Sequence, residues 1–266
     1  MSNFTGVPST LFIPLAARIY ISKRFPEYFY DEKCLEIEKL IPPESLNIKS
    51  NQYQNFANVS CFYNMDKIVR KFINDVGECN IVNLGCGLET NYYRIKNDKA
   101  TFYELDLPEV IESRRKVLGE KEKDICLPFS MFDLKWCSYI DKNKPTLITA
   151  RGVFEYFEVD EIVKLLLDLS KELPNSEIVF DSPNSKALSY TNRYVKKTGN
   201  NDARIKFYID DDLEFVNKIH AELISSSTFF VETRKVVNKG LSLYTKIAMR
   251  VVDKNGLGKV IHIKLF

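Results

Sequence analysis

A glycine turn between two strand-like runs constrains this 266-residue chain more than any other feature. The apolar run 81–84 leads into Gly-Cys-Gly at 85–87, a helix-compatible stretch follows, and a second run at 101–105 ends at Asp106. Strand, glycine turn, helix, strand and terminal acid predict the phosphate- or nucleoside-binding half of a doubly wound α/β fold. Glycine permits positive φ and close approach of a ligand, and a carboxylate can accept hydrogen bonds from both ribose hydroxyls.

The turn departs from the pattern that binds a dinucleotide. Thr90 replaces the third glycine of G-x-G-x-x-G, and Glu89 places a negative charge where a pyrophosphate would meet the helix N-terminus. Both residues favour a ligand without phosphates, such as S-adenosylmethionine, over NAD. A tight strand-to-helix turn that binds no ligand is the alternative that these residues leave open.

Composition argues against several other classes of protein. The chain has 38 basic and 36 acidic residues and a net charge of +2, so we expect no nucleic-acid partner. Six cysteines without a C-x-x-C pair, and only two histidines, give no metal-ligand spacing, so we expect no metal and a reduced, cytoplasmic protein. The apolar run 11–21 is broken by Arg18 and is shorter than the roughly 20 residues of a membrane helix, so we expect neither signal peptide nor membrane span.

The rest of the chain predicts a helical segment followed by alternating strands and helices. We expect helices at 11–24, 31–41, 64–76 and 159–173, and strands at 81–84, 101–105, 125–130, 146–150 and 177–181. Apolar runs without strict alternation are typical of a parallel sheet that is covered on both faces. Beyond residue 183 we expect a mobile polar loop or insertion at 184–202, a helix at 210–223, and strands at 225–232, 242–252 and 256–266, the last two as a hairpin.

Five segments carry a resemblance to a known family. They are TLFIPLAAR at 10–18, NLGCGLET at 83–90, YELDLPEVI at 103–111, FDLKW at 132–136 and TARGVFEYF at 149–157. In this order they resemble the leucine carboxyl methyltransferase family, and more closely its branch of polyketide-type O-methyltransferases. The resemblance implies a class I methyltransferase fold, which is a doubly wound, Rossmann-like α/β sheet, mostly parallel, with an antiparallel C-terminal hairpin strand. It also implies a helical N-terminal cap at 1–77, packed on a core at 78–266.

The resemblance further implies S-adenosyl-L-methionine as cofactor and a small molecule as methyl acceptor. The cofactor-binding residues that it implies are Gly85, Cys86, Gly87, Glu104, Asp106, Leu107, Phe132, Asp133, Leu134, Arg151 and Gly152. In this interpretation Gly85 and Gly87 lie against the methionine part and Asp106 holds the ribose. Residues 132–134 bracket the adenine, with Asp133 accepting a hydrogen bond from its exocyclic amine. Tyr156 faces the acceptor as the catalytic residue, or else it packs with its hydroxyl bonded locally.

Three positions depart from the family pattern. Cys61 stands where the family carries an Arg that holds the donor's carboxylate, and Asn91 replaces an Arg of the turn motif. Arg151 stands where the family carries a Glu that binds the donor's ammonium group. Because a cation at this position repels an ammonium group, we expect one of two outcomes. Either Arg151 binds the carboxylate in place of the lost Arg, or binding of the methionine end is impaired.

Methyl transfer from a sulfonium is an in-line displacement, so the protein mainly positions donor and acceptor. A carboxylate acceptor needs no base, whereas a hydroxyl acceptor must lose a proton. His220 and His262 lie far along the chain from the strand ends, so we expect neither to be catalytic. This favours carboxylate methylation, or hydroxyl methylation assisted by a tyrosine. The alternatives to a small-molecule O-methyltransferase are a catalytically lapsed binding protein with the same fold and, less consistent with the turn, an NAD-dependent oxidoreductase.

Overall fold

One mixed sheet forms the centre of the protein. The computed structural model describes residues 9–197, 204–237 and 239–266. The strands are β1 (Cys79–Leu84), β2 (Ala100–Asp106), β3 (Asp124–Pro128), β4 (Thr146–Ala150), β5 (Glu177–Pro183), β6 (Glu222–Thr228) and β7 (Gly258–Lys264). Within the described ranges they form a seven-stranded sheet in the order β3-β2-β1-β4-β5-β7-β6. Neighbours among β1–β5 pair in parallel, and β7 runs antiparallel to both β5 and β6.

Helices pack around this sheet. They are α1 (Phe12–Arg24), α2 (Glu32–Ile37), α3 (Pro43–Leu46), α4 (Gln52–Val76), α5 (Asn91–Ile95), α6 (Pro108–Leu118), α7 (Val159–Glu172), α8 (Ser185–Lys197), α9 (Asp212–Lys218), α10 (Val231–Val236) and α11 (Leu243–Lys254). Short 3-10 turns lie at Ser9–Leu11, Glu38–Leu40, Leu134–Tyr139 and Phe154–Tyr156. Among the described residues, no helix has both the length and the apolar character to cross a membrane.

The central strands are buried along their whole length. Every residue of β1 and of β4 is buried, because helices cover both faces of the sheet. On one face Ile162 and Leu166 of α7 belong to the same apolar cluster as Ile148 of β4. On the other face Met65 of α4 shares a cluster with Ile81 of β1. Two-sided burial explains why the strands have continuous apolar sequences rather than alternating ones.

The long helix α4 connects the N-terminal segment to the sheet. It starts at a capping box, in which the Asn51 side chain accepts from the backbone N–H of Gln54 and the Gln54 side chain accepts from the N–H of Asn51. It ends at Gly77, whose φ of +80° a side chain would disfavour. The helix contacts β1, β4, β5 and β7. The predicted helix at 64–76 is therefore the C-terminal half of a longer one.

A third apolar cluster joins the beginning of the chain to its end. Ile21 of α1 and Phe56 of α4 are fully buried together with Phe230, at the start of α10, and Met249 of α11. Burial of such side chains contributes about 1.5–3 kcal/mol each relative to exposure. The division into a cap at 1–77 and a core at 78–266 remains a prediction.

The fold class that the sequence predicts is confirmed. The five parallel strands occur where they were expected, with end points that differ by at most two residues. An antiparallel pair, β6 and β7, closes the C-terminal edge of the sheet.

Three predictions for the C-terminal third are wrong in detail. Residues 242–252 form helix α11 rather than a strand, because the Ser242 hydroxyl caps the helix by accepting from the N–H of Thr245. In place of the expected hairpin with 242–252, β7 pairs antiparallel with β5 and with β6, and β6 is separated from it in sequence by α10 and α11. The helix expected at 210–223 ends at Lys218, and the strand expected at 225–232 begins at Glu222 and ends at Thr228.

The segment 184–202 was expected to be a mobile loop or an insertion, and most of it is helix α8. The Asn184 side-chain oxygen accepts from the N–H of Ala187 and so caps the first turn. The remainder of that expectation, from residue 198 onward, lies outside the described residues.

We predict that Ile263→Ala lowers the free energy of unfolding by about 2–5 kcal/mol, since it opens a cavity beneath β7. Ile263 is fully buried in the same cluster as α7. Ile247→Ala is the matched control, because Ile247 lies on α11 with 51% of its surface exposed and its loss should cost less than about 0.5 kcal/mol. Urea unfolding of both variants measures the difference. Equal losses would contradict the position of β7 in the core.

Candidate functional site

A cavity of about 700 Å³ lies at the carboxyl ends of β1, β2, β4 and β5. In doubly wound sheets this edge binds ligands where the strand order reverses, which here is between β1 and β4. Pockets for small molecules usually measure about 300–1,000 Å³. The volume and the position of the cavity therefore agree with a binding site for small molecules.

The glycine turn after β1 forms one wall of the cavity. Gly85 and Gly87 have φ values of +59° and +48°, a region in which side chains are disfavoured. A Cβ atom on Gly85 would lie 2.5 Å from a methyl carbon of Val153, so this position has no room for a side chain. Gly85, Cys86 and Gly87 all line the cavity. A ligand can therefore approach the turn closely at the two glycines.

Asp106 lies at the end of β2, beside the same turn. Its Oδ2 atom accepts from the backbone N–H of Gly87 at 2.8 Å, and its Oδ1 atom accepts from the N–H of Leu107 at 2.8 Å. Burial raises the pKa of Asp106, and these two hydrogen bonds partly offset that rise. Each carboxylate oxygen keeps a second lone pair. Asp106 also lines the cavity, so it can accept a hydrogen bond from a bound hydroxyl.

Arg151, which follows β4, lies in the cavity wall and is held by acidic and aromatic neighbours. Its guanidinium forms an ion pair with Glu89 of the glycine turn and lies 3.8 Å from a carboxylate oxygen of Asp66. The guanidinium carbon lies 4.3 Å from the ring centroid of Phe62, a cation–π distance. The Nε group donates to the sulfur of Met65 at 3.4 Å. Burial lowers the pKa of Arg151, and Asp66 opposes this effect.

Two further arginines complete this arrangement. Arg94 donates to Asp66 at 2.8 Å and to Asp31 at 3.0 Å, and its Nη1 atom lies 2.9 Å from Glu89. Arg18 donates to Asp31 at 2.9 Å. We refer to these groups as the buried ion cluster, which consists of Arg18, Asp31, Asp66, Glu89, Arg94 and Arg151. Three cations thus balance three carboxylates.

The cavity contains a second polar group, which we call the acidic corner, Glu155 and Asp181, and which was not predicted from the sequence. Asp181 lies on β5 and its Oδ1 atom accepts from the N–H of Gly152 at 2.7 Å. Glu155 follows β4, and its Oε1 atom lies 4.0 Å from the Cβ position of Gly152. Burial and the charge of Asp181 raise the pKa of Glu155 to about 8. Glu155 follows β4, and Asp181 lies near the end of β5, which pairs with β4 in parallel. This position at the ends of adjacent strands could have indicated both residues.

Tyr156 and Cys61 border the acidic corner. The Tyr156 hydroxyl hydrogen-bonds to Glu155, and burial raises the pKa of this tyrosine far above its ordinary value. The Cys61 thiol hydrogen-bonds to Asp181, and burial likewise raises its pKa. Both residues line the cavity. Cys61, where the resemblance led us to expect an Arg in the family, therefore faces a carboxylate in this chain.

Several residues that were expected to bind the cofactor lie outside the lining of the cavity. Glu104 is fully buried, accepts from the Nδ2 group of Asn83 at 2.9 Å and lies 3.4 Å from Arg114. Burial raises the pKa of Glu104 to about 7 despite that arginine. Leu107 is 41% exposed on the surface. The structure thus gives Glu104 a structural partner and leaves its role in binding a prediction.

The run expected to bracket adenine is also separate from this lining. Phe132 is 39% exposed, and its ring packs edge-on against Phe157 at 4.9 Å. The Asp133 carboxylate accepts weakly from the N–H of Lys135 at 3.4 Å, and Leu134 packs against the core. In contrast, the expected residues Gly85, Cys86, Gly87, Asp106, Arg151, Gly152 and Tyr156 all line the cavity.

Asn91, the third departure from the family pattern, has a structural role in this chain. It is fully buried and exchanges two side-chain hydrogen bonds with Asn83, at 2.9 and 3.0 Å. Thr149 of β4 donates to the same amide oxygen of Asn83 at 2.6 Å. This network ties the start of α5 to β1 and β4. The amide pair therefore fixes the base of the turn.

The two histidines lie outside the lining of the cavity. His262 on β7 lies 2.7 Å from a carboxylate oxygen of Glu177, and His220 follows α9 with a φ of +53°. Among the described residues, no group of three or more histidine, cysteine or acidic side chains could hold a metal ion.

The sheet order, the glycine turn and Asp106 are the features of a class I methyltransferase fold, and comparison with known proteins agrees. The sequence profile of the leucine carboxyl methyltransferase family matches residues 20–170, more than half of the chain, and the chain belongs to this family. It is 23% identical over 195 residues to the tetracenomycin polyketide synthesis O-methyltransferase TcmP of Streptomyces glaucescens, covering 73% of this chain and 71% of that protein. It is 24% identical over 239 residues to the S-adenosyl-L-methionine-dependent methyltransferase dpfgK of Gibberella zeae, covering 80% and 78%.

A solved structure supports the fold. The magnesium protoporphyrin IX methyltransferase of Synechocystis PCC 6803, crystallised with bound SAH, superposes with a TM-score of 0.50 at 11% identity. The match covers 82% of this chain and 89% of that one. The resemblance seen in the sequence is confirmed, and the class is that of S-adenosyl-L-methionine-dependent methyltransferases.

We predict that Arg94→Met lowers the free energy of unfolding by about 3–5 kcal/mol, since it leaves buried carboxylates without their partner. Arg250→Met is the matched control, because Arg250 is an exposed residue of α11 and its loss should cost less than about 0.5 kcal/mol. Guanidinium unfolding at neutral pH measures both variants. A cost for Arg94→Met below about 1 kcal/mol would show that the buried ion cluster does not hold these elements together.

The same cluster sets a pH dependence. Burial raises the pKa of Asp31, but Arg94, Arg18 and Thr90 outweigh it and hold this pKa below the ordinary value of 3.8. The resulting stabilisation is complete above pH 3.8 and is lost as the pH falls through the lower value in the folded state. The acid-induced loss of stability should therefore be smaller in Arg94→Met than in the wild type.

Proposed function

We propose that this protein transfers the methyl group of S-adenosyl-L-methionine to a carboxylate or hydroxyl oxygen of a small molecule. The observation that carries the proposal is the composition of the cavity wall. One part contains the glycine turn and Asp106, and another part is apolar and includes Tyr53, Phe229 and Val252. A single cavity can thus hold donor and acceptor side by side. The O-methyltransferase TcmP, similar over most of its length, supports oxygen as the methylated atom.

The donor fits the residues present. The backbone of Gly85, Cys86 and Gly87 would contact the methionine part, and the free lone pairs of Asp106 would accept from the ribose hydroxyls. The proposal that residues 132–134 contact adenine rests on the family resemblance, because they lie outside the lining of the cavity. When bound, the donor supplies a methyl group on a positively charged sulfur. The residues of this chain then orient it toward the acceptor.

Arg151 would bind the donor's carboxylate. A guanidinium carries five N–H donors in a planar fork, so it can keep Glu89 and still bind a second carboxylate. The family's Arg is lost at position 61 and a cation is gained at position 151, and both residues line the cavity. The site would thereby keep one cation for the carboxylate of the methionine end, although this cation comes from a different residue.

The N-terminal segment would act as a cap over this site. The Leu11 side chain lies 2.5 Å from the Cβ position of Gly87, and Tyr53, Ala57 and Cys61 of α4 line the cavity. These contacts support a cap at 1–77 that closes over donor and acceptor. A cytoplasmic location is also proposed, on the evidence of six buried cysteines that are all unpaired in the described structure.

A catalytically lapsed binding protein is the second candidate, because Glu89 already neutralises Arg151. Such a protein would bind S-adenosylhomocysteine weakly and would transfer no methyl group. An NAD-dependent oxidoreductase fits less well, since the buried Glu89 carboxylate lies in the turn that would contact a pyrophosphate. Calorimetric titration with S-adenosylhomocysteine and with NADH separates the three functions.

We predict that Asp106→Ala weakens binding of S-adenosylhomocysteine by about 1.5–3 kcal/mol, the cost of losing a charge-assisted hydrogen bond. Calorimetry on the folded variant provides the measurement. Asp133→Ala serves as a comparison, and it separates a ribose contact at Asp106 from an adenine contact at Asp133. Unchanged affinity in Asp106→Ala would remove the ribose assignment.

We also predict that Arg151→Ala weakens binding of the donor product, since the carboxylate loses its only proposed cation. Arg151→Glu should not restore a site of the family type, because Cys61 provides no charge. The double change Cys61→Arg with Arg151→Glu should bind better than either single change, as a non-additive double-mutant cycle. Should Arg151→Ala bind as well as the wild type, the compensation would be excluded and the lapsed protein favoured.

A further inference from the structure

The acidic corner, Glu155 and Asp181, has no role in the donor contacts proposed above. Glu155 lies in the 3-10 turn Phe154–Tyr156, and its backbone carbonyl accepts from the N–H of Lys206 at 2.7 Å. Asp181 comes from the neighbouring strand β5 and is fixed by the N–H of Gly152. Both side chains line the cavity. Two neighbouring carboxylates are therefore accessible to a molecule that is bound in the cavity.

The surroundings of Glu155 favour a basic carboxylate. The groups that act on it are burial, the negative charge of Asp181 and a hydrogen bond from Tyr156. Burial and Asp181 raise the pKa of Glu155 and the Tyr156 hydroxyl lowers it, so that this pKa is about 8. A carboxylate with a pKa near the working pH is well matched to removing a proton in a transition state.

The cavity extends from this corner along an apolar wall. The residues of that wall include Tyr53, Tyr190, Phe229, Val251, Val252 and Leu257. Tyr190 and Val251 are about half exposed, at 49% and 48%, which places them where the cavity meets solvent. A molecule that enters here would bury an apolar or aromatic body against α8 and α11. Its polar end would then meet Glu155.

We propose that Glu155 is the general base of this enzyme, and that the acceptor is an apolar or aromatic molecule with an ionisable hydroxyl, such as a phenol or enol. This inference rests on the proposed function and narrows its substrate class. The acceptor hydroxyl gives its proton to the Glu155 carboxylate, and its oxygen forms the new bond to the methyl carbon. The electron pair of the broken carbon–sulfur bond stays on the sulfur of the leaving S-adenosylhomocysteine.

A carboxylate acceptor fits this corner less well than a hydroxyl does. It would bring a further negative charge beside Glu155 and Asp181 in a site of low dielectric, which costs free energy. A neutral hydroxyl instead donates a hydrogen bond to the carboxylate before it loses the proton. Tyr156, whose hydroxyl contacts Glu155, would position the base rather than contact the methyl group.

The pH dependence follows from the groups around Glu155. Those that act on Glu155 or on Asp181 are Tyr156 in the same turn, Arg151 after β4 and Cys61 on α4, besides the two carboxylates themselves. Lys186 on α8 also lines the cavity. The base must be ionised, so the rate should rise with pH through about 8. Asp181→Asn removes a charge that raises the pKa of Glu155, so this rise should move to lower pH. Tyr156→Phe removes a hydrogen bond that lowers it, so the rise should move to higher pH.

The test compares two acceptors with the same apolar body, 1-naphthol and 1-naphthoic acid. Methyl transfer from labelled S-adenosylmethionine is measured for each, and binding of 1-naphthol to the S-adenosylhomocysteine complex is measured by fluorescence.

The wild type should methylate 1-naphthol faster than 1-naphthoic acid. Glu155→Gln should lower the rate with 1-naphthol by at least about 100-fold, the usual contribution of a general base. Its rate with 1-naphthoic acid should not fall. The control is Glu122→Gln, which makes the same chemical change at an exposed glutamate.

A third measurement separates a base from a donor-binding residue. Glu155→Gln should bind S-adenosylhomocysteine within about twofold of the wild type, whereas a large loss of affinity would assign Glu155 to the donor's ammonium group and overturn the proposal. It would also be overturned by a rate with 1-naphthol that Glu155→Gln leaves unchanged. A wild-type complex that neither binds nor methylates 1-naphthol would overturn the acceptor class. Failure of the wild type to bind S-adenosylhomocysteine would instead overturn the proposed function.

Discussion

The buried ion cluster is the interaction on which the arrangement of this site depends. Its three guanidinium groups and three carboxylates come from α1, the start of α2, α4, the glycine turn, α5 and the end of β4. A buried charge without a partner costs several kcal/mol, so none of these elements can move away alone. The cluster therefore fixes the N-terminal helices against the glycine turn with a specificity that apolar packing would not provide. The turn, in consequence, has a single position relative to α4.

The buried ion cluster gives Glu89 a different role from the one that its charge suggested in the sequence. In the sequence its charge argued against a pyrophosphate at the turn, as if the carboxylate were free. In the structure Arg94 and Arg151 neutralise it, and its Oε1 atom accepts from the N–H of Thr90 at 2.7 Å. Glu89 still opposes the binding of a phosphate at the turn, because it is buried and paired there. Displacing its carboxylate would leave two guanidinium groups without their partner.

Charged side chains lie on both sides of Gly152 in the cavity wall. Arg151 precedes Gly152 and is paired with Glu89 and Asp66, whereas the Asp181 carboxylate accepts from the Gly152 N–H and the Glu155 carboxylate lies close to Gly152. In the proposed function Arg151 binds the carboxylate of the donor, and in the further proposal Glu155 receives the proton of the acceptor. Cys61 lies against Asp181, and Arg151 is a cation that lowers the pKa of Asp181 against the effect of burial.

The sequence by itself determined the sheet of five parallel strands, the glycine turn and the position of Asp106. These features depend on local patterns, namely continuous apolar runs and glycines where φ is positive, and so they can be predicted from neighbouring residues. The helix α11 could not be predicted this way, because Ile247, Val251 and Val252 have strand-like propensities. The Ser242 cap and the packing of Met249 in the third apolar cluster favour a helix instead. Tertiary structure alone decided the partners of Arg151 and the pairing of Glu155 with Asp181. Those groups are distant in sequence, and they meet because adjacent parallel strands end at the same edge of the sheet while α4 packs across it.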